Sequence, residues 1–226
     1  MAPKTCPICS KRRGKRFCPG LPASRWRGET QTICAPCCGE QREVAIDCPA
    51  DCSYLIAAHR YEAERPTAPP GELAFPSVAL DRGFLEEHQQ FIAALSLFCC
   101  RFAAEHAEVR DPDLLAALDA LARSYQTLDS GLYYEQPPEA PAARALYAAA
   151  REFIEQASRQ HQQEGGSSLR PADLLRAVVF LRRLGQRESN GRPLTRTFLY
   201  FLRAQLPADA VSSPSAAAPG LIVPGR

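Results

Sequence analysis

Apolar residues recur with a period close to 3.6 over most of residues 77–206, which is the spacing of one face of an α-helix. The pattern predicts five helices, over about 77–107, 111–131, 141–164, 171–188 and from Pro193 to about residue 206. Each predicted helix has one apolar face that must be buried against another element. A helix bundle is the simplest fold that buries all of these faces.

Start and stop signals support these limits. Asp111 is predicted to be the N-cap of the second helix and Pro112 its first residue. Gly131 and the pair Gly165-Gly166 are predicted to end the second and third helices. The last helix is apolar on nearly all sides over Phe198–Leu202, which favours a buried closing helix over a DNA-recognition helix.

The front of the chain follows a different pattern. Residues 1–60, here called the head, hold eight of the ten cysteines and many turn residues, which predicts an irregular domain with short strands. Residues 61–76 are rich in proline and predict a linker, and residues 207–226 lack periodicity and predict a disordered tail. The predicted fold is therefore mainly α, with a small cysteine-rich head, a linker and a bundle of about five helices over 77–206.

The head cysteines have the spacing of metal-binding knuckles. Two pairs are separated by two residues and one pair by three, so that a tight turn aims both thiolates at one ion. Eight thiolates are enough for two four-coordinate zinc ions, and the candidate ligands are Cys6, Cys9, Cys18, Cys34, Cys37, Cys38, Cys48 and Cys52. We expect an interleaved arrangement, with Cys6, Cys9, Cys34 and Cys37 on one ion and Cys18, Cys38, Cys48 and Cys52 on the other.

Metal binding is expected to supply most of the folding free energy of the head, on the order of ten kcal/mol per site, because the head has few large apolar residues. An iron–sulfur cluster would use the same thiolates, and a disulfide framework would need an oxidising compartment. The sequence favours zinc among these three. His59 is a possible substitute ligand, but a position on a short helix over residues 53–64 is favoured.

The expected location is the cytoplasm. The segment Met1–Arg16 is polar and basic without an apolar core, so it does not resemble a secretory signal. No apolar stretch approaches the roughly 20 residues that a membrane-spanning helix needs. Cys99 and Cys100 are predicted to be buried small side chains, because adjacent residues of a helix point about 100° apart and cannot form a disulfide with each other.

The chain has a net charge of +2, but the charged residues are distributed unevenly along it. Residues 1–60 carry a net +5, residues 61–169 a net −9 and residues 170–203 a net +6. Two zinc sites of four thiolates would each contribute −2 and lower the charge of the head to about +1. The alternative is that the cations bind phosphates while a tryptophan stacks on a base. The candidate nucleic-acid or partner-binding residues are Lys11, Arg12, Arg13, Lys15, Arg16, Arg25, Trp26, Arg27, Arg192 and Arg196.

Several segments resemble an uncharacterised family of bacterial cysteine-rich proteins. In the head, these are Ile33–Gly39 and Ile46–Leu55, and farther along the chain they are Gly131–Glu135, Asn190–Pro193 and Phe198–Arg203. The resemblance implies a two-part protein with a zinc-binding head and a helical C-terminal part. It implies no particular activity.

The sequence favours a non-enzymatic zinc-binding interaction module whose helical part is a scaffold and which binds a protein partner or nucleic acid. It contains no Gly-rich phosphate loop and none of the common hydrolase motifs, so an enzyme is not expected. The alternatives are a nucleic-acid-binding regulatory protein that uses the basic patches, and an enzyme with a site in the bundle near Tyr133 and Glu135. The helical part is also a candidate surface for homo-oligomerisation.

Overall fold

The protein is mainly α-helical, as predicted. The computed structural model describes residues 5–22, 31–64, 71–132, 134–163 and 169–207. Within these ranges the elements are β1 (Arg16–Phe17), β2 (Thr32–Ile33), α1 (Ala35–Gln41), α2 (Ser53–Ala63), α3 (Arg82–Glu87), α4 (Gln89–Glu105), α5 (Asp111–Asp129), α6 (Pro141–Gln163), α7 (Pro171–Glu188) and α8 (Thr197–Ala204). Both strands lie in the head and pair in an antiparallel ribbon.

Helix α5 is at the centre of the bundle. It packs most extensively on α7 and α6, and α4 closes the bundle against α6, α7 and α8. Leu114, Leu118 and Leu121 lie along the buried side of α5, where the predicted 3.6-residue period places them. Cys99 and Cys100 are buried in the same core, as predicted. No helix in the described ranges is long and apolar enough to cross a membrane.

The first predicted helix is two helices, so the bundle has six helices rather than about five. Asp81 caps α3 by accepting a hydrogen bond of 2.9 Å from the backbone N–H of Phe84. The chain leaves helical geometry at His88, where φ is −104° and ψ is 13°. Phe84 and Ile92 nevertheless enter one core. The apolar period therefore continues across the break, which is why the pattern alone does not show it.

The prediction that Asp111 is the N-cap of α5 is wrong. The N-cap of α5 is Arg110, whose backbone N–H donates to Asp113 at 3.0 Å. The buried carboxylate of Asp111 instead accepts from the backbone N–H groups of Phe198 at 2.8 Å and Leu199 at 3.1 Å. Burial raises the pKa of Asp111, and these donors act in the opposite direction. Asp111 thus caps α8 and fixes it to the start of α5.

Most arginines of α7 bind groups of the same chain. Arg182 forms an ion pair of 2.7 Å with Asp119 on α5, and Arg176 pairs with Asp81. Arg183 donates to three backbone carbonyls of the loop that precedes α3. The basic stretch after residue 169 therefore balances the acidic middle of the chain.

The crossing of α7 with α5 and α8 is close enough to exclude a side chain. A Cβ on Gly185 would lie 2.5 Å from Leu115 Cδ2 and 2.6 Å from Phe198 Cε1. We expect Gly185→Ala to lower the free energy of unfolding by about 1–3 kcal/mol, measured by urea denaturation. Gly71→Ala is the control, since nothing lies within 4 Å of a Cβ there. Equal stability of the two variants would show that the crossing is loose.

Candidate metal centre

Four cysteine side chains from two separate segments meet in the head. The Sγ atoms of Cys6, Cys9, Cys34 and Cys37 all lie within 4.8 Å of one another. The distance from Cys9 Sγ to Cys34 Sγ is 3.9 Å, close to the edge of about 3.8 Å of a tetrahedron with metal–sulfur bonds of about 2.3 Å. All ten cysteines are free thiols. The tetrad therefore has the ligand number, chemistry and spacing of a four-thiolate metal site.

Local backbone structure builds the tetrad. The first pair sits on a tight turn, in which Ser10 adopts a φ of 54° and donates its N–H to the carbonyl of Cys6 at 2.8 Å. The pairing of β1 with β2 then brings the second segment alongside. Cys34 is the N-cap of α1 and Cys37 lies in its first turn. The tight turn that carries Cys6 and Cys9 and the first helical turn of α1 are thus brought together by a short ribbon.

Backbone N–H groups stabilise two of the sulfurs as thiolates. The N–H groups of Lys11 and Arg12 lower the pKa of Cys9 to about 6. Burial would raise the pKa of Cys6, but backbone N–H groups, including those two and three residues ahead of it, lower it overall. The Arg12 guanidinium bonds to the sulfur of Cys34, and the pKa of Arg12 is raised by this contact. These donors preform part of the site.

Cys37 shows why a cation fits this position. Burial and the three neighbouring sulfurs raise its pKa well above the ordinary value of 9.0. Four thiolates this close repel one another, so they do not all ionise without a compensating charge. A divalent cation at their centre removes this repulsion and allows all four to bind as thiolates.

The other four head cysteines are neighbours but do not form a second compact group. Burial raises the pKa of Cys18, with further increases from the nearby Cys38 and Cys52. Burial likewise raises the pKa of Cys48 to about 11, with contributions from Cys18 and Cys52. The sulfur of Cys18 accepts from the N–H groups of residues 20–21, which repeats the pattern at the tetrad. In the described part of the chain, only the tetrad has all its ligand atoms within 4.8 Å.

Close backbone packing brings the segments of this second group together. A Cβ on Gly20 would lie 2.2 Å from the carbonyl oxygen of Asp47, so only glycine allows the loop after Cys18 to approach the residue before Cys48. Cys52 is the N-cap of α2. The tetrad corresponds to the first of the two expected ligand sets, and the second ligand set stays a prediction.

A polar cluster that sequence analysis did not identify joins the head to the bundle. The carboxylate of Glu43, a residue that is only 2% exposed, is at its centre. Its Oε2 accepts from His59 Nε2 at 3.0 Å and Asn190 Nδ2 at 2.9 Å, and its Oε1 accepts from Thr195 Oγ1 at 3.1 Å. The backbone carbonyl of Glu43 also accepts from the N–H of Leu194 at 2.8 Å. His59 lies on α2, as predicted, and its ring bonds to this carboxylate.

Glu43 also contacts the second cysteine group. Its backbone lies beside the sulfur of Cys48, and its φ of 55° lies in the left-handed region that non-glycine residues rarely adopt. Burial raises the pKa of the Glu43 carboxyl, but the hydrogen bonds from His59 and Asn190 lower it below the ordinary range. The carboxylate therefore stays ionised, and one residue connects a thiol of the head with the loop before α8.

Arg192 and Arg196, both predicted partner-binding residues, bind carboxylates of α2 and of the head. Arg192 Nη2 lies 2.9 Å from Glu62 Oε1, and Arg196 Nη1 lies 3.1 Å from Asp47 Oδ1. The second oxygen of Asp47 accepts from Arg110 Nη2 at 2.6 Å. These pairs place acidic groups of the head and of α2 opposite basic groups of the bundle.

The remaining predicted binding residues lie around the ribbon of the head. Lys11, Arg12, Arg13 and Lys15 are exposed, and the guanidinium carbon of Arg16 lies 4.6 Å from the ring centroid of Tyr54. Arg25, Trp26 and Arg27 lie outside the described residues, as do Tyr133 and the tail from residue 208. Glu135, from the alternative enzyme site, forms an ion pair with Arg151.

The fold and the tetrad together define a mainly α-helical protein with a cysteine cluster that can hold a metal ion. No family model, curated protein or solved structure matches the chain. Its function therefore has to be argued from its own residues.

Proposed function

We propose that this protein is a non-enzymatic zinc-binding interaction module, in which two zinc sites shape the head and the helical bundle is the scaffold. The observation that carries the proposal is the tetrad of Cys6, Cys9, Cys34 and Cys37, with all four sulfurs within 4.8 Å of one another. Four thiolates complete a tetrahedral zinc site and leave no position for a water molecule. Such a site stabilises structure and supplies no catalytic nucleophile.

The second zinc ion is assigned to Cys18, Cys38, Cys48 and Cys52. Two observations support it. Cys38 and Cys52 lie close enough to Cys18 to raise its pKa, as Cys18 and Cys52 do for Cys48, and Cys18 receives the same paired N–H donors as the ligands of the tetrad. The ion would draw the four sulfurs together, because zinc–thiolate bonds of about 2.3 Å are shorter than the present separations allow. Binding at this site therefore involves a small contraction around the start of α2.

The scaffold role rests on the contact between head and bundle. Glu43 and Asp47 of the head and Glu62 of α2 are all bound by side chains that precede α8 or α5. Asp47 and Asn190, which lie in segments that resemble the bacterial cysteine-rich family, each take part in this contact. These bonds support the proposal that head and bundle act as one body.

Metal content per chain tests the proposal. Reduced, purified full-length protein is expected to contain two zinc ions by elemental analysis, whereas iron with equimolar sulfide would indicate an iron–sulfur protein. Cys9→Ser and Cys48→Ser are each expected to lose about one zinc ion per chain. Cys99→Ser in the bundle core is the control and is expected to retain both. If Cys48→Ser binds as much zinc as the wild type, the second site is wrong, and a metal-free wild type would refute the proposal as a whole.

A further inference from the structure

The basic loop of the head is divided between two environments. Over residues 13–18 exposure alternates, so that Arg13, Lys15 and Phe17 are exposed while the residues between them are at least partly covered. This is the alternation of an extended ribbon with one face toward the solvent. Phe17, the second residue of β1, is a large apolar side chain that is 59% exposed.

Two cations of this loop make contacts inside the head. Arg12 bonds to the thiol of Cys34 and Arg16 lies over the ring of Tyr54. Neutralisation of the thiolates therefore accounts for Arg12. The other exposed cations of the loop are Lys11, Arg13 and Lys15.

Three cations of the loop have no acidic partner in the parts of the chain that the structure describes. No carboxylate there lies within 4.0 Å of the side-chain nitrogens of Lys11, Arg13 or Lys15. Beside them, Phe17 and Tyr54 are exposed, and the Arg16 guanidinium lies over the Tyr54 ring. We call the exposed members Lys11, Arg13, Lys15, Phe17 and Tyr54 the basic–aromatic strip.

We propose that the basic–aromatic strip binds single-stranded nucleic acid. Cations that lack a carboxylate partner match a phosphate backbone, and exposed rings offer planar surfaces on which unpaired bases stack. In a duplex the bases are already stacked on one another and are not available to Phe17. An acidic peptide pairs with the lysines and arginines but brings no base-sized ring for Phe17. The proposal deepens the proposed function and rests on it, because the metal sites hold the loop in place.

Fluorescence anisotropy with labelled oligonucleotides tests the strip. The probes are single-stranded 12-mers of uridine and of thymidine and a mixed-sequence duplex of the same length, titrated with zinc-loaded full-length protein at two salt concentrations. We expect both single strands to bind, more weakly at the higher salt, and the duplex to bind more weakly than either. A difference between uridine and thymidine probes identifies RNA or DNA as the preferred source of the strand.

Two variants with matched controls locate the binding surface. Phe17→Ala is expected to weaken single-strand binding about tenfold or more through loss of stacking. Lys15→Ala is expected to reduce the logarithmic salt slope by about one, which is the signature of one lost phosphate contact. Tyr134→Ala and Arg123→Ala remove an exposed aromatic ring and an exposed cation from the bundle, and both are expected to bind as the wild type does.

Each other outcome overturns the proposal. These outcomes are no binding by zinc-loaded protein at low salt, unchanged binding by Phe17→Ala, or equal binding of duplex and single strand. A labelled polyglutamate that binds as tightly as the oligonucleotides and with the same dependence on Phe17 assigns the strip to acidic protein instead. The metal content of the same sample separates the two proposals: zinc-loaded protein that fails to bind refutes only the strip, and metal-free protein that binds through Phe17 refutes only the zinc assignment.

Discussion

Removal of zinc with a chelator is expected to unfold the head while the bundle remains helical. The buried cluster of the head contains four cysteines and only three aliphatic side chains, Leu21, Ile33 and Ile46. Each aliphatic side chain contributes about 1.5–3 kcal/mol on burial, whereas ordering each residue of the backbone costs about 1–2 kcal/mol. Apolar burial alone is therefore too small to order this many residues. Zinc binding, at on the order of ten kcal/mol per site, is the contribution expected to make the free energy of folding of the head favourable.

Hydrogen exchange with peptide-level resolution measures this prediction. Peptides that cover α1 and α2 are expected to lose protection after chelation, and peptides that cover α5 and α7 to keep it. The bundle keeps its structure because its core is built from aliphatic and aromatic residues that need no ion. Readdition of zinc under reducing conditions is the control and should restore protection. Persistent protection of α1 in the chelated protein would refute the view that the ions organise the head.

Replacement of Glu43 by alanine is expected to destabilise the zinc-loaded protein by about 3–5 kcal/mol. The carboxylate is buried and satisfies donors from His59, Asn190 and Thr195 at once. Its removal takes this acceptor from Thr195, which is buried, and from His59 and Asn190, which are half-buried, and it leaves Arg192 without one of its two carboxylates. The expected result is a lower urea midpoint together with loss of the fixed contact between head and bundle.

Glu40→Ala is the matched control for this variant. Glu40 is the same residue type three positions earlier, but it is exposed, so its replacement is expected to change the free energy of unfolding by less than about 0.5 kcal/mol. Zinc content should be measured in both variants, because the backbone of Glu43 lies beside Cys48. If Glu43→Ala is as stable as Glu40→Ala, the cluster does not hold the head in place.

The sequence predicted elements whose cause is local. The 3.6-residue period placed the bundle helices correctly, because the spacing of Leu114, Leu118 and Leu121 puts them on one face of a helix, and that face is buried. It did not show the break at His88, since α3 and α4 bury their faces in one core. It misplaced the role of Asp111, because a side chain at a helix start can cap a distant helix, and only the three-dimensional contact with Phe198 distinguishes the two.

The candidate site likewise combines features that follow from local sequence with features that depend on contacts between distant residues. The tetrad follows from the spacing of the cysteines, since a two-residue gap leaves few geometries for a pair of thiolates. The Glu43 cluster combines residues 16 to 152 positions apart and contains no local motif. The segment Asn190–Pro193 stood out in the sequence because it resembles a family. Nothing in the sequence predicted that this loop contacts an acidic residue of the head. The sequence shows the basic loop, but only the structure shows which of its cations contact groups of the head.

Helix α1 carries Cys37 and Cys38 side by side, with one in the tetrad and the other near Cys18. Adjacent positions on a helix diverge by about 100°, so the seven residues of α1 carry cysteines of both groups. In the proposed two-zinc head, the entropy loss of ordering α1 occurs once, with whichever ion arrives first, and the second ion then meets a ligand that is already in position. Loading of the two proposed sites is therefore expected to be cooperative, with few partly loaded chains.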